Sequence, residues 1–241
     1  MLRSSQNLSE RLQAVRTRMA TAAVGAGRSV DSVTLLAVSK GQPAESIRAA
    51  AVAGLTDIGE SYLAEALAKI GALGDLPLTW HFIGRLQSNK TREVAEHFAW
   101  VHGLDRLKIA ERLAAQRPYH APALNVCIQV NLAGEETKGG VPAAAVPELA
   151  SAVAALPRLA LRGLMCVPPE EADPERQRQW FARLRGLRDS LKGGGLELDT
   201  LSMGMSGDFE AAIQQGATIV RVGTAIFGPR AATAPRTIAE P

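Results

Sequence analysis

Short unbroken apolar runs alternate with longer amphipathic ones along most of the chain. The runs TLLAV (34–38), LTDIG (55–59), TWHFIG (79–84), AWVHG (99–103), ALNVCIQVN (123–131), LALRGLMCV (159–167), TLSMG (200–204) and TIVRVG (218–223) are bounded by Gly, Pro or polar residues. Such runs predict strands buried on both faces. Helices are predicted between them, near 44–53, 61–72, 88–97, 105–117, 142–155, 174–192 and 206–215, and over 5–23 ahead of the first strand. At roughly 30 residues per strand–helix unit, this predicts one α/β domain over 1–241: a (β/α)8 TIM-type barrel with an extra N-terminal helix. The end, about 231–241, is expected to fray. An open doubly wound sheet fits less well, because Gly25-Ala26-Gly27 lacks a third glycine and precedes the first strand.

Composition narrows the class. With 27 Lys+Arg against 24 Asp+Glu, the formal charge of +3 favours anionic ligands but gives no basic stripe for nucleic acid. The arginines of RQRQWFARLRGLRDSLK (176–192) read as the solvated side of a helix whose core face is Trp180, Leu184, Leu187 and Leu191. No apolar stretch is long enough to span a membrane, and the polar start MLRSSQNLSE lacks a secretory signal. Cys127 and Cys166 lie far apart in apolar runs, as small core residues in a reducing, cytoplasmic setting.

In a barrel of this kind, chemistry gathers where the strands end. The first predicted strand runs directly into Ser39-Lys40. An amine against apolar walls loses pKa, and a neutral amine is what Schiff-base formation with an aldehyde requires. Taken alone, Lys40 also fits a strand-capping lysine with its head in water. The seventh strand leads into Ser202-Met203-Gly204-Met205-Ser206-Gly207, and the eighth into Arg221-Val222-Gly223-Thr224-Ala225. Loops at these two places commonly form a phosphate site, with glycines admitting backbone N–H groups and Ser206 and Thr224 adding hydroxyls. Ser206 also fits a helix cap. Aldehyde at one end and phosphate at the other describes pyridoxal 5′-phosphate (PLP), and Arg221 then has a role at the ring nitrogen. A permanently protonated arginine there leaves the ring a poor electron sink.

The segments LLAVSK (35–40), DIGESYLAEALAK (57–69), WHFIGRLQSNK (80–90), QVNLAGEETKGG (129–140), RGLMCVP (162–168), LSMGMSGD (201–208) and VRVGTAIFG (220–228) resemble the pyridoxal phosphate homeostasis protein family, relatives of the barrel domain of bacterial alanine racemase. The resemblance covers roughly 5–230. It implies Lys40 as the Schiff-base lysine, Ser206, Gly223 and Thr224 as phosphate holders, Arg221 at the ring nitrogen and Met203 lining the pocket nearby. Two departures stand out: Ser61 where the family usually has Asn, and Gly41-Gln42-Pro43 where Thr-Lys-Pro or similar is usual.

Other polar residues have plainer readings. Lys138 is a loop lysine that could also take or deliver PLP, and Gln87 to Lys90 either support the site or start a helix. His81 reads as an interior histidine, and His81, His97, His102 and His120 show no metal spacing. What the resemblance implies is a monomeric, non-catalytic PLP carrier in vitamin B6 homeostasis, with PLP-dependent apo-enzymes as recipients. An amino-acid racemase or decarboxylase is the alternative. It would need a second proton-transfer group, which the racemase relatives take from a tyrosine on an additional β-domain that this chain is not expected to hold. Tyr62 and Tyr119 are the only tyrosines. An aldolase acting on a phosphorylated sugar shares the lysine and cradle but gives Arg221 no role.

Overall fold

The computed structural model describes residues 2–135 and 138–229; the end expected to fray lies outside them. The apolar runs become the parallel strands β1 (Thr34–Val38), β2 (Asp57–Glu60), β3 (Thr79–Phe82), β4 (Trp100–Leu104), β5 (Leu124–Asn131), β7 (Leu159–Cys166), β8 (Thr200–Ser202) and β9 (Ile219–Val222). A two-residue strand, β6 (Val141–Pro142), only flanks β5. The order β4-β3-β2-β1-β9-β8-β7-β5 is closed by pairing of β4 with β5, giving an eight-stranded barrel.

Helices α1 (Leu2–Gly25), α2 (Ala44–Val52), α3 (Leu63–Ala72), α4 (Thr91–His97), α5 (Leu107–Gln116), α6 (Val146–Ala154), α7 (Pro174–Gly193) and α8 (Phe209–Gln214) follow the predicted segments, with shorter bounds in places. A further short helix, α9 (Thr224–Phe227), replaces the expected loop after the last strand. The extra helix α1 packs against α2, α8 and α9. Its buried stripe Leu8, Leu12, Val15, Met19 and Ala22 recurs at helical spacing, and each large apolar side chain contributes about 1.5–3 kcal/mol by leaving water. In α7 the core face differs from the expected one. Phe181, Leu184 and Leu191 are buried while Trp180 lies half-exposed under Arg183.

Register separates the two faces of the sheet. Leu36 pairs with Arg221, Val38 with Gly59, and Gly59 with His81, so these residues share the interior face. Ala37, Ile58 and Val222 share the other. Glu60 also lies on that outer face and meets Lys69 of α3, as alternation along a strand requires.

Candidate functional site

At the end of β1 the outward Ser39 is fully buried and Lys40, one residue on, continues the interior-facing series of Leu36 and Val38. Lys40 is half-buried. The chain turns immediately at Gly41, whose φ of 73° suits glycine. The turn is pinned from behind: Gly41 N donates to Glu65 Oε1 at 2.6 Å, and Lys69 Nζ donates to Ser39 O at 2.7 Å.

The loops after β8 and β9 lie side by side, joined where Arg221 N donates to Gly204 O at 2.9 Å. Asp208, not Ser206, precedes α8, and its Oδ1 accepts from Met205 N at 2.5 Å. That bond turns the carboxylate back into its own loop. Ser206, Gly207, Thr224 and Ala225 have backbone N–H groups without a backbone acceptor among the described residues, and the hydroxyls of Ser206 and Thr224 likewise have no partner there. Unsatisfied N–H groups at the start of a helical turn are the usual donors to an anion. Met203 is fully buried in the apolar core at the base of this loop.

Arg221 is 5% exposed. Its Nη1 donates to Ser202 O at 2.6 Å and Ser202 Oγ at 2.8 Å, and Nη2 donates to Cys166 O at 2.8 Å. Three of five N–H donors are thus fixed on the barrel wall, which leaves Nε–H and one Nη2–H without an acceptor among the described residues. Burial presses the guanidinium pKa down while Cys166, Asp208 and Cys127 push it back; a guanidinium nevertheless stays protonated under ordinary conditions.

Outside the strand ends, a second group of charges supports the site. Lys69 Nζ contacts Glu60 Oε1 at 2.6 Å and Glu65 Oε1 at 2.5 Å, and Ser39 Oγ donates to Glu60 Oε1 at 2.5 Å. Burial raises the Glu60 pKa against the lowering effect of those two hydrogen bonds. Sequence reading passed over this group. The signal available was an acid ending the otherwise buried strand DIGE, with a lysine nine residues on.

The remaining predicted residues are spread over the mouth, the interior and the opposite end of the barrel. Ser61, Tyr62, Arg85, Asn89, Lys90 and Arg106 line a cavity of about 930 Å³ beside the ends of β2 to β4. Ser88–Lys90 form the turn into α4, where Ser88 O accepts from Arg112 Nε, so the segment both lines the cavity and starts the helix. Lys138 donates to Pro168 O at 3.0 Å and pairs with Glu135 at 2.7 Å. Tyr119 precedes β5, at the opposite end of the barrel, and is 92% exposed. His81 is an interior histidine, and its partner there is His102. Cys127 and Cys166 are buried thiols whose pKa burial pushes up to about 12. Among the described residues no cluster of His, Cys, Asp or Glu is disposed to hold a metal ion, and no helix is long and apolar enough to cross a membrane.

Comparison with known proteins identifies the family and the fold. A family model described as alanine racemase, N-terminal domain, covers residues 10–231. The pyridoxal phosphate homeostasis protein of Pseudomonas aeruginosa is 56% identical over 228 residues, 95% of this chain and 98% of its own. That of Escherichia coli (strain K12) is 49% identical over 227 residues, 93% of this chain and 97% of its own. PipY of Synechococcus elongatus PCC7942, solved with PLP bound, superposes with a TM-score of 0.82 at 38% identity, covering 92% of this chain and 100% of its own.

Proposed function

Because this chain belongs to the pyridoxal phosphate homeostasis protein family, built on the alanine racemase N-terminal domain, we propose that it binds PLP at the mouth of the barrel. In this reading Lys40 holds the aldehyde as a Schiff base, its amine nitrogen displacing the carbonyl oxygen as water. Ser206, Gly223 and Thr224 hold the phosphate, Arg221 donates to the ring nitrogen, and Met203 packs beneath the phosphate loop. The observation that carries the reading is Arg221: a buried cation tied to the wall by three bonds, with two donors over, beside a loop pair offering unpaired N–H groups. Register supports the span. Leu36 pairs with Arg221, so Lys40 lies four residues along one strand and Thr224 three along its neighbour, at one level of the mouth.

The proposed role is to hold and release PLP for vitamin B6 homeostasis, as a cytoplasmic monomer that supplies PLP-dependent apo-enzymes, without committed catalysis. Two features support a carrier over a catalyst. An arginine at the ring nitrogen keeps the ring a poor electron sink, which disfavours carbanion chemistry of the transaminase type, and a racemase or decarboxylase would need a second proton-transfer group opposite the lysine. Of the two tyrosines, Tyr119 is at the wrong end and Tyr62 is 62% exposed.

Hydride reduction of the PLP-loaded protein followed by peptide mapping tests the reading. The label is expected on Lys40 and is expected to vanish in Lys40→Ala. A label on another side chain, or none, ends the Lys40 assignment. Turnover of an amino acid at the rate of a dedicated enzyme would end the carrier role.

A further inference from the structure

Five polar side chains cross the barrel interior in one unbroken line. Asp57 Oδ1 lies 3.1 Å from His81 Nε2, His81 Nδ1 lies 2.9 Å from His102 Nε2, and His102 Nδ1 lies 2.7 Å from Ser202 Oγ. Ser202 Oγ also accepts from Arg221 Nη1 at 2.8 Å. The three middle members are sealed: His81 is 1% exposed, His102 and Ser202 0%. Asp57 is the first residue of β2, whereas Arg221 lies in the second half of β9. The line therefore begins near the N-terminal end of the strands and finishes below the proposed cofactor site.

The chemistry of the members assigns each proton. The His81 and Thr56 hydrogen bonds outweigh burial and keep the Asp57 carboxyl below its ordinary pKa, so it accepts only. His81 Nε2 must then carry a proton. Burial holds both imidazoles below their ordinary pKa, against Asp57 in the case of His81 and with Arg221 nearby in the case of His102. A neutral His81 with Nε2–H accepts at Nδ1, which requires His102 Nε2–H. A neutral His102 in turn accepts at Nδ1, so the Ser202 hydroxyl donates to it. The lone pairs of Ser202 Oγ are then open to Arg221. Reversing the line would leave an imidazole lone pair facing the Asp57 carboxylate, and would make Ser202 Oγ accept twice.

We propose that Asp57, His81, His102 and Ser202 form a one-way hydrogen-bond line that fixes the Arg221 guanidinium, making Asp57, at the far end of the barrel, a positioning residue for the cofactor site. The positioning role rests on the PLP reading above; the proton assignments do not. Stacking of Trp100 on His81, with centroids 5.5 Å apart and planes within 3°, holds that ring in the orientation the line needs.

Long-range ¹H–¹⁵N spectra of the imidazoles, taken on the full chain at pH 7 without PLP, read the tautomers. Both buried histidines are expected neutral with the proton on Nε2. Asp57→Asn keeps an acceptor and should leave His102 unchanged. Asp57→Leu removes the acceptor and should move the His102 proton to Nδ1, while PLP retention drops about tenfold, the scale of losing a supporting hydrogen-bond partner. Should Asp57→Leu not fold, Asp57→Ser, too short to reach His81, makes the same comparison. A charged imidazole, a His102 proton on Nδ1 in the unaltered protein, or a His102 signal indifferent to Asp57→Leu overturns the line. A shifted His102 with undiminished PLP retention overturns the positioning role. Expected tautomers in a protein that takes up no PLP would remove the cofactor reading while the proton assignments stand.

Discussion

Lys69 Nζ sits 2.6 Å from Glu60 Oε1, with both side chains sealed from solvent, directly behind the strand end that carries Lys40. The pair does more than satisfy itself. Through Ser39 O and Glu65 it reaches the backbone on either side of Lys40, at residues 39 and 41. A charge left in that place without its partner is strongly destabilising, which makes the cluster a device for holding one short turn.

Lys69→Met should therefore cost about 3 kcal/mol of stability at neutral pH, the scale for removing one partner of a buried pair. Burial has already raised the Glu60 pKa, and loss of Lys69 raises it further. For such an acid, stability is present at low pH and lost as pH rises through the folded-state pKa. The deficit of Lys69→Met should shrink on going from pH 8 to pH 5 in urea unfolding. A deficit independent of pH would mean that Glu60 is not the group left stranded.

Gly204 bears on the loop proposed to hold the phosphate. Its φ is 92°, and a Cβ there would meet Ala212 Cβ at 2.6 Å and Phe209 Cα at 2.9 Å. Gly204→Ala must relax the loop or move α8, at a cost of about 1–3 kcal/mol. Thermal unfolding should show the loss, and PLP retention should fall with it because Ser206 rides on the same loop.

Thr224 is exposed and its hydroxyl has no partner among the described residues, so Thr224→Val should leave unfolding unchanged within about 0.5 kcal/mol. If its hydroxyl holds the phosphate, losing a hydrogen bond to a charged group should weaken PLP binding about tenfold. Equilibrium titration with PLP reads this directly. Equal affinity would take Thr224 out of the site.

Much of this was legible in the sequence, for a physical reason. Strands buried on both faces carry their signal locally, and β1 occupies the predicted residues 34–38. The beginning of β2 was placed two residues early, because the chain is still emerging from the turn at Gly54, whose φ is 81°. On α7 the apolar spacing starting from Trp180 looked as good as the true one, and only packing selects Phe181. The Asp208 bond that frees Ser206 is local but depends on loop geometry. The interior line was beyond reach, since His102 and Ser202 meet across 100 residues of chain. Neither residue type at either position announces the other.

The two cysteines offer a clean check on the barrel. Burial pushes both thiols up to about 12, so neither forms a thiolate at pH 8 in the folded protein. A disulfide-exchange reagent should find no reactive thiol in native protein and two after unfolding. Reaction of one thiol without denaturant would show that the wall around Arg221, where Cys166 O is an acceptor, opens locally.

The neutral histidine pair predicts how stability responds to mild acid. His81 and His102 are held below their ordinary pKa in the fold, whereas the unfolded chain binds those protons at about pH 6.5. Between the two values unfolding takes up protons, so this contribution is whole above about pH 6.5 and declines as pH falls. Each such proton adds up to about 1.4 kcal/mol per pH unit to the slope. Glu60 pulls the opposite way, its contribution being lost on raising pH, so the useful comparison is with His102→Asn, which keeps Glu60. The slope of unfolding free energy between pH 5 and 6.5 should fall by up to one proton's worth in that variant. Identical slopes would mean that His102 titrates alike in the folded and unfolded chain, a behaviour a sealed, neutral imidazole between His81 and Ser202 cannot show.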